Sequence, residues 1–179
     1  MAEALGIAGQ PDDGLATLAE AEDHIRRSGE RFYEAEVYRL RGELTLQQAN
    51  QQATGNRQKA KIRTGDWGLG VGPSFPQAPS LKPLVPEVVV REVEECFLKA
   101  IAVAQEQQAK PFELRATMSL VRLRQQQATH ATSRNTQHAT RSTLHEAHRM
   151  LSDVYNWFTE GFETKDLQEA KQLLEAGCD

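Results

Sequence analysis

The stretch VEECFLKAIAVAQEQQAKPFELRATMSLVRL, Val93 to Leu123, repeats large apolar, small and charged residues at a helical period. Val93, Phe97 and Ala100 stand four and then three residues apart, which places them on one face of an α-helix. Ile101 and Ala104 extend that stripe. The same trio of a small or apolar residue, a large apolar one and another apolar one recurs as Gly14, Leu18, Ala21 and as Ala147, Leu151, Val154. A helix apolar on one side needs a partner to cover it, so the trios predict helices packed on one another.

Each trio has an amphipathic companion: RFYEAEVYRLRGELTLQQ at 31–48, PFELRATMSLVRLRQQQ at 111–127 and ETKDLQEAKQLLEA at 163–176. The spacing tests whether the pairs repeat. Gly14 to Gly42 is 28 residues, and Val93 to Val121 is again 28. From first to second helix the distance varies: 12 residues from Ala2 to Gly14, 51 from Gly42 to Val93 and 26 from Val121 to Ala147. With 12 as the basic unit the repeat is 40 residues, interrupted by about 39 residues in the second pair and about 14 in the third. The interruptions map to 50–87, a Gly- and Pro-rich flexible insertion, and 128–143, a low-complexity one.

Local signals fit these boundaries. GQPDDG at 9–14 offers a glycine at a helix end, Pro11 as a turn residue and Asp12 or Asp13 as an N-cap. Lys110-Pro111 separates two helices, Trp157 and Phe158 close another, and Gly161 breaks the chain before the last. The only β-like cluster is Val88 to Val90. The fold class read from this pattern is all-α: a single domain, 1–179, of antiparallel helical hairpins stacked as a solenoid with two long inter-helix insertions.

Hairpins in which small residues face one another resemble the tetratricopeptide repeat, although 40 residues exceeds that motif's usual length of about 34. GERFYEAEVYRLRGEL (29–44), CFLKAIAVAQEQQAKPFELRATMSLVRL (96–123) and YNWFTEGFETKDLQEAKQLL (155–174) resemble the C-terminal tetratricopeptide-like region of large ATPase-containing proteins, often carrying a class III adenylate or guanylate cyclase domain or a DNA-binding domain. The resemblance covers 1–49, 88–127 and 144–176, a scaffold and not a catalytic site. It implies a protein–protein or interdomain interaction module of a signalling or regulatory protein, with Met1 falling inside the first hairpin as in a fragment. It also implies an inner groove lined by Glu36, Arg39 and Glu43 of one helix and Arg115, Arg122 and Gln126 of another. Such a mixed-charge wall suits a peptide or a neighbouring domain.

Composition narrows the alternatives. A formal charge of −4 and a pI near 5.8 argue against direct nucleic-acid binding, which needs a clustered basic excess. No apolar run approaches the roughly 18 to 20 residues that span a bilayer, and no secretory leader pattern opens the chain. Two cysteines, Cys96 and Cys178, are too few for a disulfide framework or a zinc site, and a reducing cytoplasm is the expected compartment.

An enzyme reading rests on GDWGLGVGPSF, Gly65 to Phe75. A phosphate loop joins a strand to a helix, whereas NQQATGNRQKAKIRTGD precedes the Gly-x-Gly-x-Gly run, Gly68 to Gly72, and Pro73, Pro76, Pro79, Pro83 and Pro86 follow it. The insertion has a basic excess from Arg57, Lys59, Lys61, Arg63 and Lys82 against Asp66, so a tail for an acidic or proline-recognising partner is a further reading. His130, His138, His145 and His148 form the remaining candidate set, but HEAH spaces its histidines three apart, where a zincin helix needs four. Glu20, Glu22, Asp23 and Glu92, Glu94, Glu95 are too close in sequence to face one another across a site. The expectation is therefore a non-enzymatic chain without cofactor or metal; a nucleotide-binding fragment and a transcription-regulator-associated helical module are the alternatives.

Overall fold

The computed structural model describes residues 1–63, 85–130 and 134–176. All secondary structure among the described residues is helical: α1 (Ala2–Ile7), α2 (Pro11–Ser28), α3 (Glu34–Arg63), α4 (Glu87–Glu106), α5 (Lys110–His130), α6 (Arg134–Tyr155) and α7 (Lys165–Glu175). Each helix packs on the next in sequence. In addition α1 meets α3, α3 meets α5 and α5 meets α7, whereas α2, α4 and α6 reach only their odd-numbered neighbours among the described residues.

The stripes read from the sequence are the buried faces. Val93, Phe97 and Ala100 are buried with Ala147, Leu151 and Val154 in one cluster that also takes in Leu114, Val121, Leu167 and Ala170. Gly14 and Leu18 are buried and Ala21 half-buried, beside a smaller cluster with Ala2, Val37 and Leu44. Burying a side chain such as Phe97 or Leu151 contributes roughly 1.5–3 kcal/mol.

Small residues set the distance between helices, as two glycines illustrate. A Cβ on Gly42 would lie 2.6 Å from the Phe97 ring, so α3 and α4 approach as closely as they do because position 42 lacks a side chain. A Cβ on Gly14 would lie 2.8 Å from a Leu44 methyl, the corresponding approach of α2 to α3.

Helix boundaries depart from the sequence reading at three places. α2 begins two residues early: Gln10 is the N-cap, Pro11 opens the first turn, and Asp12 and Asp13 lie inside it instead of capping it. Proline's fixed φ and missing N–H suit that first position, and the two acids then favour the positive end of the helix. α3 runs to Arg63, well into the insertion expected from residue 50, and α5 and α6 extend to His130 and back to Arg134, across much of the one expected over 128–143. Gln, Ala, Lys and Arg are good helix formers, and 128–143 holds neither Gly nor Pro, so extra residues lengthen helices already started. Val88 to Val90 lies in the opening turns of α4, where helix contacts override β propensity. The Gly65 to Phe75 run lies outside the described residues.

Candidate functional site: the polar row on α3, α5 and α7

Glu36, Arg39 and Glu43 succeed one another at three and four residues on α3, so their side chains meet along one helix face. Arg39 is buried and makes a forked pair with Glu36, at 2.7 and 2.9 Å, while its third nitrogen donates to Glu43 at 2.5 Å. Burial opposes the charge on Arg39, but the hydrogen bond to Glu36 and the carboxylate charges of Glu43 and Glu36 outweigh it, so its pKa is raised. The guanidinium is thus a fixed cation inside the wall, already satisfied by its own helix.

On α5, Arg115, Ser119, Arg122 and Gln126 follow at four, three and four. Ser119 Oγ donates to Glu43 at 2.8 Å, and Arg115 stands 3.8 Å from Glu36, so the polar faces of α3 and α5 adjoin. Arg115 also donates to Asp166 of α7 at 2.7 Å, and Arg122 to Glu169 at 2.7 Å. Ser119, Asp166 and Glu169 are partners that the sequence reading did not single out. The three-residue spacing of Asp166 and Glu169 was visible, but nothing in the sequence says that α7 lies against α5.

Beyond Ser119 the two helices border a groove of about 700 Å³. Leu46, Phe97 and Leu123 supply its apolar lining, and Glu43, Asn50, Thr54, Arg122 and Gln126 supply polar groups. Of the six residues proposed from sequence, Glu43, Arg122 and Gln126 line this groove, whereas Glu36, Arg39 and Arg115 form the charge network beside it. Two lining amides are engaged elsewhere: Gln47 donates to the Gly6 carbonyl at 2.8 Å and Gln51 to that of Gly9 at 3.1 Å, tying α1 and the turn after it to α3. The groove can take an apolar side chain and offers neutral amides at its border. Its charged groups are already paired.

The other candidates do not converge on a site. His138 and His145 are exposed, and His148 is half-buried with Nε2 enclosed and unpaired. Burial, then repulsion from His145, holds the His148 pKa below its ordinary value of 6.5. Among the described residues no three His, Cys, Asp or Glu side chains gather as a metal site. Cys96 is half-buried, and burial raises its thiol pKa against the opposing charge of Arg41, which makes it a poor nucleophile. No helix among the described residues is long and apolar enough to cross a membrane. Comparison with protein-family models, with curated proteins and with solved structures gives no match to this chain.

Proposed function

We propose that the chain works by binding protein, as antiparallel helical hairpins stacked in a tetratricopeptide-like solenoid. We further propose that it belongs to the C-terminal region of an ATPase- or cyclase-type signalling or regulatory protein. Contact order supports the stacking. Arg31, ahead of α3, reaches Glu106 at the end of α4, and Arg124, late in α5, reaches Glu94, early in α4. By contrast Glu36 and Glu43 meet Arg115 and Ser119 in the same order along α3 and α5. These contacts have α4 running opposite to α3 and α5, and α3 and α5 running together.

The observation that carries the functional reading is the groove between α3 and α5, apolar inside and bordered by the amides of Asn50 and Gln126. A peptide main chain satisfies such amides, and an apolar side chain fills the space over Phe97. A protein or peptide, or a neighbouring domain of the same parent, is the proposed partner, in a cytoplasmic setting.

Selection of binders from a displayed peptide library tests this. Asn50→Ala combined with Gln126→Ala should weaken selected peptides by about tenfold, the loss of one to two net hydrogen bonds, without lowering the melting temperature. Unchanged affinity would move the binding site away from the groove. Micromolar binding of ATP with magnesium by the chain alone would favour a nucleotide enzyme instead. The proposed parent is tested by the coding sequence upstream of Met1, where an in-frame cyclase or ATPase domain is expected.

A further inference from the structure

α7 is held differently from the helices before it. Its eleven residues fully bury only Leu167 and Ala170. The connection from α6 spans residues 156–164, turns at Gly161 with φ of 79°, and leaves Trp157 and Phe162 exposed. The two charge pairs to α5 are partly solvated: Arg115 and Arg122 keep 41% and 42% of their side chains exposed, and Asp166 and Glu169 keep 32% and 33%. Solvated pairs of this kind hold weakly. What keeps α7 in place is therefore an apolar stripe, Leu167 and Ala170 with the partly buried Leu173 and Leu174 beside them, its contact with α6, and two screened charge pairs.

The same contacts specify what else fits there. Arg122 has Glu169 as its ion-pair partner and Arg115 has Glu36 only at 3.8 Å besides Asp166, so removing α7 leaves two arginines beside uncovered apolar surface. A helix that replaces α7 needs two carboxylates three residues apart, each followed by an apolar or small residue, as in Asp166-Leu167 and Glu169-Ala170. We propose that the α5 face beneath α7 is a docking surface for an acidic amphipathic helix of another protein, and that α7 is the intramolecular occupant such a helix displaces. The surface adjoins the groove between α3 and α5, and its use does not depend on the groove holding a peptide.

The probe is a labelled synthetic peptide of residues 163–176, titrated against the full chain and against the full chain carrying D166R and E169R. A short tether gives α7 an effective concentration on the order of millimolar, so the peptide should bind the unaltered chain only weakly. It should bind the D166R/E169R chain at least about tenfold more tightly, because the competitor has been loosened. A peptide with arginine in place of both carboxylates should bind the R115E/R122E chain and not the unaltered one, which separates charge recognition from general stickiness. In hydrogen exchange of the unaltered chain, α7 amides should open at least about tenfold faster than those of α5. Absence of tighter binding by the D166R/E169R chain overturns the proposal, as does protection of α7 equal to that of α5. A dimer in light scattering that excess peptide fails to dissociate would assign the surface to a second copy and also overturn it.

Discussion

Two of the apolar clusters that α3 borders, the largest and the one around Leu18, use the same residue pattern to different depths. Toward the C-terminus Phe97 and Leu151 are buried among side chains drawn from α4, α5, α6 and α7. Toward the N-terminus Leu18 is buried with Ala2, Val37 and Leu44, and Leu15, Ala21, Ile25 and Leu40 complete the layer only partly buried. A helical stripe states which side faces inward. How much it stabilises depends on how many neighbours arrive, and six-residue α1 covers less than twenty-residue α4.

Truncating the two anchors tests the contrast most strongly. Phe97→Ala should cost about 3–5 kcal/mol, since removing a ring only 1% exposed leaves a cavity that the packed helices fill only in part. Leu18→Ala should cost about 2 kcal/mol, at the low end for a buried leucine, because its half-open surroundings can close in. Equal losses in chemical denaturation would mean that the N-terminal cluster is as well packed as the other.

The next largest effect belongs to α3, the helix the two clusters share. Arg39→Leu removes the cation between Glu36 and Glu43 and should cost about 3 kcal/mol, chiefly by leaving Glu36 little exposed and without its forked partner. The triple change Glu36→Gln, Arg39→Leu, Glu43→Gln should recover most of that loss. If it does not, the aliphatic stem of Arg39 matters more than its charge.

Much of this arrangement was legible in the sequence. The 4-then-3 trios marked the inward faces, because that spacing depends only on local helix geometry. The ends of the insertions were not legible, since Gln, Ala, Lys and Arg suit a solvated helix as well as a polar loop. At the polar row the sequence grouped Glu36, Arg39 and Glu43 correctly as one helix face. It did not show that Arg39 is enclosed by its own helix, nor that Asp166 and Glu169 occupy Arg115 and Arg122, because pairing across helices depends on their relative placement.

The glycines give a finer version of the same contrast. At Gly42 an added methyl meets the edge of the Phe97 ring, which its surroundings hold, so Gly42→Ala should cost about 1–2 kcal/mol net of the roughly 1 kcal/mol that alanine gains in a helix. At Gly14 the methyl meets the far end of Leu44, an aliphatic side chain in the more thinly covered cluster, and stands 3.4 Å from the Ala2 carbonyl oxygen, so Gly14→Ala should cost less, within about 1 kcal/mol of neutral. Loss at both sites would show that the N-terminal helices are as tightly registered as α3 and α4.

The smallest expected effect lies at the rim of the larger cluster, at His148. Its enclosed Nε2 has no hydrogen-bond partner, and burial followed by repulsion from His145 keeps its pKa below 6.5 in the folded chain. In the unfolded chain the imidazole takes up its proton at the ordinary value, so between that value and the lower folded one the unfolded state binds more protons. The resulting stability is fully present above pH 6.5 and is lost as the pH falls through the interval. Melting temperature should therefore drop between about pH 7 and about pH 5, and His148→Leu should flatten part of that drop while carboxylate titration supplies the rest. Parallel profiles for the two chains would mean that the imidazole turns to water on protonation, making the rim at α6 as open as the N-terminal cluster and removing the contrast at that edge.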